Sequence, residues 1–272
     1  MRDANRRRSG IAMWEEGKHS DQDAAAFRGR PNGADHTGMV HRNNGHSPSG
    51  TVMEHAPLFS GISPGDSARL SATARAKQFA RGETLHIKGD PVRSVVLLTS
   101  GVVKTTQLGL SGIEVITRLV VTGEVLGAHG LFSTGKHCAT AQTFQLCQGL
   151  VWDASVFKSQ VDRLPVVHQN LVRILDRELL ELEERFREVA TERVGRRVAR
   201  QLARLRDSIG RPVNGGIEVA LSREDLAQMT GTTLFTVSRL LSAWEARGVV
   251  AARREAVTII DIHALRAISE ES

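Results

Sequence analysis

The sequence predicts an α+β fold with an N-terminal antiparallel β-roll, one long helix and a C-terminal winged helix-turn-helix. Three observations predict it. Short runs of strand character, separated by glycine and proline turns, follow Gly82. From Val156 the spacing of apolar residues becomes helical. Two short helical segments around a glycine turn begin at Ser222, and two β-branched runs follow them.

Residues 1–54 are rich in Gly, Asn, Ser, Asp, Arg and His and lack an apolar period. We predict a disordered basic tail, because this composition cannot bury enough surface to offset the ordering entropy. His36, His41 and His46 recur at even spacing, but no Cys or second ligand cluster accompanies them, so no metal site is expected. Met39 and Met53 lie just before the first apolar-patterned residues, and N-terminal sequencing of the native protein would test them as translation starts.

The chain has 272 residues, 40% of them hydrophobic, so two domains with real cores are expected. The net charge of +6 suits an acidic partner such as nucleic acid, although a basic tail alone could supply it. Two cysteines cannot form a disulfide framework, which favours a reduced cytoplasmic compartment. No apolar run approaches the roughly 18 residues of a membrane span. Arg6 to Arg8 are not followed by the apolar part of an export signal.

Residues 55–165 predict the β-roll. A short helical stretch is expected between Leu58 and Ala80. Strand-like runs then alternate with turns such as Gly89-Asp90-Pro91 and Ser100-Gly101. Short strands at intervals of roughly 8–12 residues are typical of an antiparallel sandwich or roll.

Residues 166–190 predict one long helix. Its apolar positions recur at alternating intervals of three and four, and charged residues lie between them. These seam positions are Val172, Leu175, Leu179, Leu182, Phe186 and Val189. A seam of this kind favours pairing with a second copy over packing on the protein's own β-domain, so we predict a dimerisation helix.

A second amphipathic helix opens the predicted C-terminal domain, residues 191–272. Its inward positions are Val194, Val198, Leu202 and Leu205, and its outward positions are Arg196, Arg197, Arg200 and Arg204. A solvated basic face and a phosphate-binding face are both consistent with this pattern.

The segment 221–244 predicts the helix-turn-helix. Ser222 with Asp225 three residues later resembles a capping box, and Gly231 suits the turn between two helices. Thr233 is a natural N-cap for the second helix. The core stripe of that helix is Val237, Leu240, Leu241 and Trp244, and its opposite face is Phe235, Ser238, Arg239 and Ser242.

The residues that follow predict a wing. Gly248 ends the helix, and the β-branched runs at Val249-Val250 and 257–260 flank a turn with Arg253 and Arg254. A plain helical hairpin is the alternative for the helix pair, and the wing argues against it.

The order of β-roll, long helix and winged helix resembles the CRP/FNR family of bacterial transcription regulators, from Ala56 to roughly Leu265. The matching residues of the helix-turn-helix are Gly231, Thr232, Thr233, Thr236, Val237 and Arg239. GDP at Gly89, SGVVK at Gly101 and VTGEVLGAHGLF also look like the family. The resemblance implies a cyclic-nucleotide-binding-like sensor domain, a homodimer that binds double-stranded DNA as activator or repressor, and RNA polymerase as a partner.

The effector residues depart from the family. Members that bind cyclic AMP carry a Glu soon after the glycine of the phosphate turn and an Arg-Ser pair before the next strand. Here Ala128 follows Gly127, and Cys138-Ala139 replace the pair, so cyclic AMP is not expected. Two cysteines cannot hold the four-cysteine iron–sulfur cluster of the family's oxygen sensors. Haem, another small ligand, thiol chemistry or no ligand remain, with His129, His137 and Cys138 as candidate effector residues.

The resemblance also implies the DNA contacts. The expected phosphate contacts are Arg196, Arg197, Ser222, Thr232 and Thr233. Arg239 is the candidate for a bidentate contact with guanine, and Ser238 can bind a neighbouring base edge. Leu234 and Phe235 occupy positions where relatives often carry a charged residue, typically Glu at the second. An apolar side chain there cannot accept a hydrogen bond from cytosine but can pack on a thymine methyl.

Two other functions compete with this one. A metal-dependent enzyme of the cupin type needs clustered His and Glu ligands, whereas His86 has no nearby second His on its strand, so catalysis is not expected. The second alternative is a nucleotide- or haem-sensing protein that acts through protein contacts rather than DNA. Salt-dependent DNA affinity distinguishes the two.

Overall fold

The computed structural model describes residues 48–110 and 112–270. The histidines at positions 36, 41 and 46 and Met39 lie outside this part of the chain. The prediction of a disordered tail up to residue 54 is wrong for its last residues, because helix α1 spans Pro48–His55. Met53 is fully buried in a cluster with Leu58 and Trp152, so apolar contacts hold this helix against the roll.

The N-terminal domain is an antiparallel β-roll, as predicted. After a short 3-10 turn at Pro57–Phe59, the elements are α2 (Pro64–Ala72), β1 (Arg75–Phe79), β2 (Thr84–His86), β3 (Ser94–Ser100), β4 (Val102–Leu108), β5 (Glu114–Val121), β6 (Val125–Leu126), α3 (Ala128–Phe132), β7 (Thr140–Thr143) and β8 (Cys147–Asp153). They form two four-stranded sheets with strand orders β1-β8-β3-β6 and β2-β7-β4-β5. Every strand pair is antiparallel.

The core of the roll is centred on its most apolar strand, β3. Positions 95–98 of β3 are all buried, so this strand is covered on both faces. Trp152 is fully buried, and its Nε1 donates to the carbonyl of Leu70 at 2.8 Å, which satisfies the one polar atom of the ring. Gly101 joins β3 to β4 at a φ of 94°, and a Cβ there would lie 2.6 Å from the Sγ of Cys147. Only glycine fits this turn.

Two helices leave the roll, α4 (Ala154–Val161) and α5 (Pro165–Thr191). The second matches the predicted helix of residues 166–190. Pro165 suits the first helical position because its missing N–H has no intrahelical partner. Near this end, Asn170 is buried and its Nδ2 donates to the carbonyls of Leu58 and Ser60. The start of α5 is therefore fixed to the roll.

The C-terminal domain is a winged helix-turn-helix, as predicted. Its elements are α6 (Val194–Ile209), β9 (Arg211–Val213), β10 (Gly216–Val219), α7 (Arg223–Thr230), α8 (Leu234–Ala246), β11 (Val250–Ala252), β12 (Val257–Ile259) and α9 (Ile262–Glu270). The strands form one sheet in the order β11-β12-β10-β9. The core includes Val198, Leu202, Leu226, Val237 and Leu241, all fully buried. No helix within the described ranges is long and apolar enough to cross a membrane.

The winged helix packs on the roll through apolar and charged contacts. Leu119 and Phe144 from the roll contact the C-terminal core. Lys104 of β4 and Asp225 of α7 form an ion pair at 3.6 Å, in which both side chains are largely buried. The sheet that contains β4 therefore touches the first helix of the helix-turn-helix directly.

Candidate nucleic-acid interface and effector cavity

The turn between α7 and α8 is built by local capping. The backbone N–H of Asp225 donates to Ser222 Oγ at 3.0 Å, and the N–H of Ser222 donates to an Asp225 carboxylate oxygen at 3.1 Å. This confirms the predicted capping box. Gly231 has the left-handed φ of 61°, and Thr233 Oγ1 accepts from the N–H of Thr236. The sequence thus specifies the angle between the two helices through short-range bonds.

Helix α8 has one buried stripe and one solvent-facing side, as predicted. Val237, Leu241 and Trp244 are buried in the C-terminal core, and Leu240 is half-buried against it. On the other side Phe235 is 77% exposed, Leu234 is 47% exposed, Arg239 and Ser242 are exposed, and Ser238 is half-buried. In the part of the chain that the structure describes, Arg239 has no carboxylate partner. Its guanidinium is available to an external acceptor.

Of the five predicted phosphate contacts, two lie beside this face and the other three are engaged in bonds within the chain. Thr233 is exposed and Thr232 half-buried, both at the N-terminus of α8, where anions are stabilised by the helix dipole. Ser222 is half-buried, and its hydroxyl is occupied by the capping box with Asp225. Ser222 therefore shapes the interface chiefly through the position of α7.

Arg197 does not point outward, and its predicted role as a phosphate contact is wrong. The residue is 8% exposed. Its Nε and Nη2 both donate to the carbonyl of Thr230 at 3.3 Å, and its Nη1 donates to the carbonyl of Glu192 at 2.8 Å. Helix ends leave carbonyls without intrahelical partners, and Arg197 satisfies one at the end of α7 and one just beyond α5. The side chain therefore fastens the helix-turn-helix to the long helix.

The other arginines of α6 are also held within the chain. Arg196 is half-buried, and its Nε donates to the carbonyl of Ser269. Arg200 and Arg204, predicted on the outward face, bind the buried carboxylate of Glu188 on α5. Burial alone raises the pKa of Glu188, but the hydrogen bonds from Arg204 and Arg200 lower that pKa below its ordinary value. The basic side of α6 is thus mainly a contact with α5 and α9.

Replacing Arg197 with Ala is expected to lower the free energy of unfolding by about 3 kcal/mol, because it leaves the carbonyl of Thr230 buried without a charged donor. Thermal and urea unfolding measure this loss. A plot of the logarithm of the DNA association constant against the logarithm of the salt concentration should have the wild-type slope, because no phosphate contact is removed. Arg193→Ala, at an exposed site beside α6, is the control and should unfold like the wild type. If the variant instead has the wild-type melting temperature and a weaker salt dependence of DNA binding, Arg197 does contact a phosphate.

A cavity of about 410 Å³ lies between the roll and α5. Its apolar lining comes from both sides and includes Leu126, Ala128, Val120, Leu171, Ile174 and Leu175. The three candidate effector residues His129, His137 and Cys138 also line it. The structure therefore brings all three side chains to one cavity.

His137 stacks on His86, a contact that the sequence separation of the two residues does not predict. His86 and His137 stack with ring centroids 3.6 Å apart and planes inclined by 6°. Burial, followed by the charge of His137, lowers the pKa of His86 to about 4. Burial also lowers the pKa of His137. No second His lies on the strand of His86, and the partner His137 follows α3, far along the chain.

Cys138 is the accessible thiol of the two. It is exposed, and its Sγ lies 3.7 Å from Nδ1 of His129 at the cavity. Cys147 is fully buried, and burial raises the pKa of its thiol, which makes it less reactive. In the described ranges no group of three or more His, Cys, Asp or Glu is arranged to hold a metal ion.

The residues at the two positions expected to hold a cyclic nucleotide do not fit its ribose and phosphate. Ala128 is buried and carries no acceptor for a ribose hydroxyl, and Cys138 supplies no cation. Arg118 lines the cavity, but its guanidinium is already bound by Glu124 at 2.8 Å and by Glu178. A phosphate here would have to compete with two carboxylates for that cation.

Strands β4 and β5 separate the cavity from the helix-turn-helix. Thr105 and Thr117 line the cavity. Lys104, the neighbour of Thr105 on β4, holds Asp225 of α7, because successive side chains of a strand point to opposite faces. One layer of backbone thus lies between the cavity and the capping box of α7.

The seam of α5 is uncovered along most of its length. Five of the six predicted seam residues are exposed, namely Val172, Leu179, Leu182, Phe186 and Val189, and Leu175 is half-buried against the roll. Leu179 and Leu182 also line the effector cavity. The apolar seam therefore continues into the cavity wall.

Comparison with known proteins gives the same architecture. A family model for the Crp-like helix-turn-helix domain matches residues 196–268, and one for the cyclic nucleotide-binding domain matches residues 76–163. The chain is 26% identical over 212 residues to the CRP-like cAMP-activated global transcriptional regulator of Mycobacterium tuberculosis, covering 77% of this chain and 95% of that protein. It is 29% identical over 199 residues to the cyclic AMP receptor protein of Thermus thermophilus, covering 73% and 89%. The solved structure of FixK2 from Bradyrhizobium japonicum superposes with a TM-score of 0.64 at 21% identity, covering 73% of this chain and 98% of that one.

Proposed function

This chain belongs to the CRP/FNR family of bacterial transcription regulators, and on that premise we propose that it acts as a homodimer whose two α8 helices read one DNA duplex. It is a DNA-binding transcription regulator rather than an enzyme. The observation that carries the proposal is the exposed side of α8, with Arg239 free of any described carboxylate beside Phe235, Ser238 and Ser242.

The dimer is supported by the exposed seam of α5. Exposed leucines and a phenylalanine at heptad spacing are poorly hydrated, and a second α5 buries them. Helix-turn-helix proteins commonly bind two half-sites as symmetric dimers, so a paired α5 would present two copies of α8 to one side of the duplex.

The DNA contacts divide by chemistry. Thr232 and Thr233 position the N-terminus of α8 on the phosphate backbone. Arg239 reads guanine through O6 and N7, and Ser238 reaches a neighbouring base edge. Arg196 and Ser222 contribute at most through atoms that their internal bonds leave free.

The signal is proposed to enter at the effector cavity and to change DNA affinity through β4. A ligand or thiol modification beside His129 and Cys138 would move the layer that carries Lys104, and with it Asp225 and α7. Cyclic AMP is not the proposed effector, because Ala128 and Cys138 replace the family's ligands. RNA polymerase is the proposed protein partner, as in the family.

Selection from a random duplex pool tests the DNA-binding function directly. We expect the full chain to enrich a palindromic sequence. Its affinity for the enriched duplex should fall steeply as salt rises, because bound phosphates release counterions. An excess of non-specific competitor DNA is added to the selection. It suppresses the non-specific binding that the basic N-terminal residues alone would cause. An absence of enrichment, or an affinity independent of salt, would favour the alternative of a sensor that acts through protein contacts.

A further inference from the structure

The first turn of α8 presents two apolar side chains to solvent. Leu234 and Phe235 are its first residues, and Phe235 has 77% of its surface exposed. Neither side chain caps the helix, since Thr233 does so. A large exposed aromatic side chain is poorly hydrated. Its neighbours along α8 are the polar residues Thr236 and Ser238 and the cation of Arg239, which has no carboxylate partner among the described residues.

The position of these two side chains on α8 indicates which chemical group of DNA they contact. In helix-turn-helix proteins the N-terminal residues of the recognition helix contact base edges in the major groove. Leu234 and Phe235 can neither donate nor accept a hydrogen bond, so they cannot read the amino, carbonyl or ring-nitrogen groups of a base. The apolar group that the major groove offers is the 5-methyl of thymine.

Phe235 and Arg239 lie four residues apart and therefore on the same face of α8. Their separation along the axis is about 6 Å, which corresponds to between one and two base-pair steps. A methyl contact by Phe235 and a guanine contact by Arg239 thus fall in one half-site. The cation of Arg239, to which no carboxylate in the described part of the chain is paired, also favours a polyanion over an apolar protein surface as the occupant.

We propose that Phe235 recognises the 5-methyl group of a pyrimidine one or two base pairs from the guanine that Arg239 binds, so that the protein discriminates methylated from unmethylated pyrimidines. This proposal rests on the DNA-binding function proposed above and names the chemistry by which that site selects its sequence. Thymine supplies the methyl in ordinary DNA. Methylated cytosine supplies the same group at the same place in the groove, whereas uracil and unmethylated cytosine lack it.

The test uses the full chain and the duplex enriched from a random pool. Each thymine of the half-site is replaced singly by deoxyuridine, which removes only the methyl group. At one position we expect affinity to fall about fourfold per half-site, and roughly fifteenfold when both half-sites are changed. At that same position, 5-methylcytosine should bind about fourfold better than cytosine.

Two variants make the assignment specific to Phe235. Phe235→Ala should bind the thymine and deoxyuridine duplexes equally. Leu110→Ala, at an exposed apolar site of the β-roll, is the matched control and should keep the wild-type discrimination. The proposal is overturned if no thymine of the half-site responds to loss of its methyl, or if Phe235→Ala retains full discrimination. Failure of the DNA-binding function would look different, because no sequence would be enriched at all.

Discussion

A Phe186→Glu variant is expected to sediment as a monomer and to bind its DNA site about a hundredfold more weakly, or worse. Phe186 is 74% exposed in the single chain and lies on the seam of α5. In a paired seam it would be buried against its symmetry mate, so the variant would place two carboxylates in an apolar contact. Loss of the dimer also removes the advantage of binding two half-sites at once, which is worth about 10²–10⁴ in affinity.

Phe186 is the cleanest seam residue to change, because Leu179 and Leu182 also line the effector cavity and Phe186 does not. Leu182→Glu should dissociate the dimer too, with an added effect on the cavity. Glu183→Gln, at an exposed neighbour on the same helix, is the control and should remain dimeric. Analytical ultracentrifugation reports the mass, and fluorescence anisotropy the affinity. A Phe186→Glu chain that still sediments as a dimer excludes this seam as the contact.

The features that the sequence predicts well are those governed by neighbours along the chain. The capping box of Ser222 and Asp225, the left-handed Gly231 and the buried stripe of α8 all depend on spacings of three or four residues. The length of α5 follows in the same way from Pro165 and an unbroken apolar period. Local bonds therefore specify most of the DNA-facing geometry.

The features that the sequence analysis missed depend on contacts between distant segments. The outward placement of Arg197 followed from its position on an amphipathic helix, but the carbonyls it binds belong to Glu192 and Thr230. A helical period separates apolar from polar positions and does not distinguish a solvated arginine from one that satisfies helix ends. The stack of His86 on His137 likewise forms across the fold, and no spacing rule relates the two residues.

The N-terminal boundary was placed too late for a similar reason. Composition predicts that residues up to 54 gain too little from burial to fold. Met53 nevertheless inserts fully into the roll, where Ser71 Oγ donates to its sulfur at 3.0 Å. A single large apolar side chain hardly changes the average hydropathy of a polar segment. Its burial nevertheless stabilises the fold by about 2 kcal/mol.

The ion pair between Lys104 and Asp225 joins the two halves of the regulator. Asp225 is at once the carboxylate of the capping box of α7 and the carboxylate that Lys104 binds. A shift of β4 would therefore act on the helix that supports the turn at Gly231, and through it on the entry of α8. Under the proposed function, a small change in the cavity would reach the side chains proposed to read DNA through this ion pair alone.

Arg239→Ala is expected to abolish preference for one G·C pair in each half-site, a loss of about 1–3 kcal/mol of discrimination per half-site. The guanidinium of Arg239 has no carboxylate partner among the described residues, so its donors are not engaged before DNA arrives. Its bidentate geometry matches O6 and N7 of guanine, which no other base pair presents in the same arrangement. Competition binding between the enriched duplex and its single-substituted relatives measures the preference.

Arg247→Ala is the matched control, because it removes the same charge from the far end of α8 at an exposed residue. That variant should keep the full ratio of specific to scrambled affinity. Both variants lose one positive charge, so a shared weakening reports general electrostatic attraction, and only the difference between them reports base reading. If Arg239→Ala binds specific and scrambled duplexes with an unchanged ratio, Arg239 does not read the base, and recognition must rest on Ser238 and the apolar pair at the start of α8.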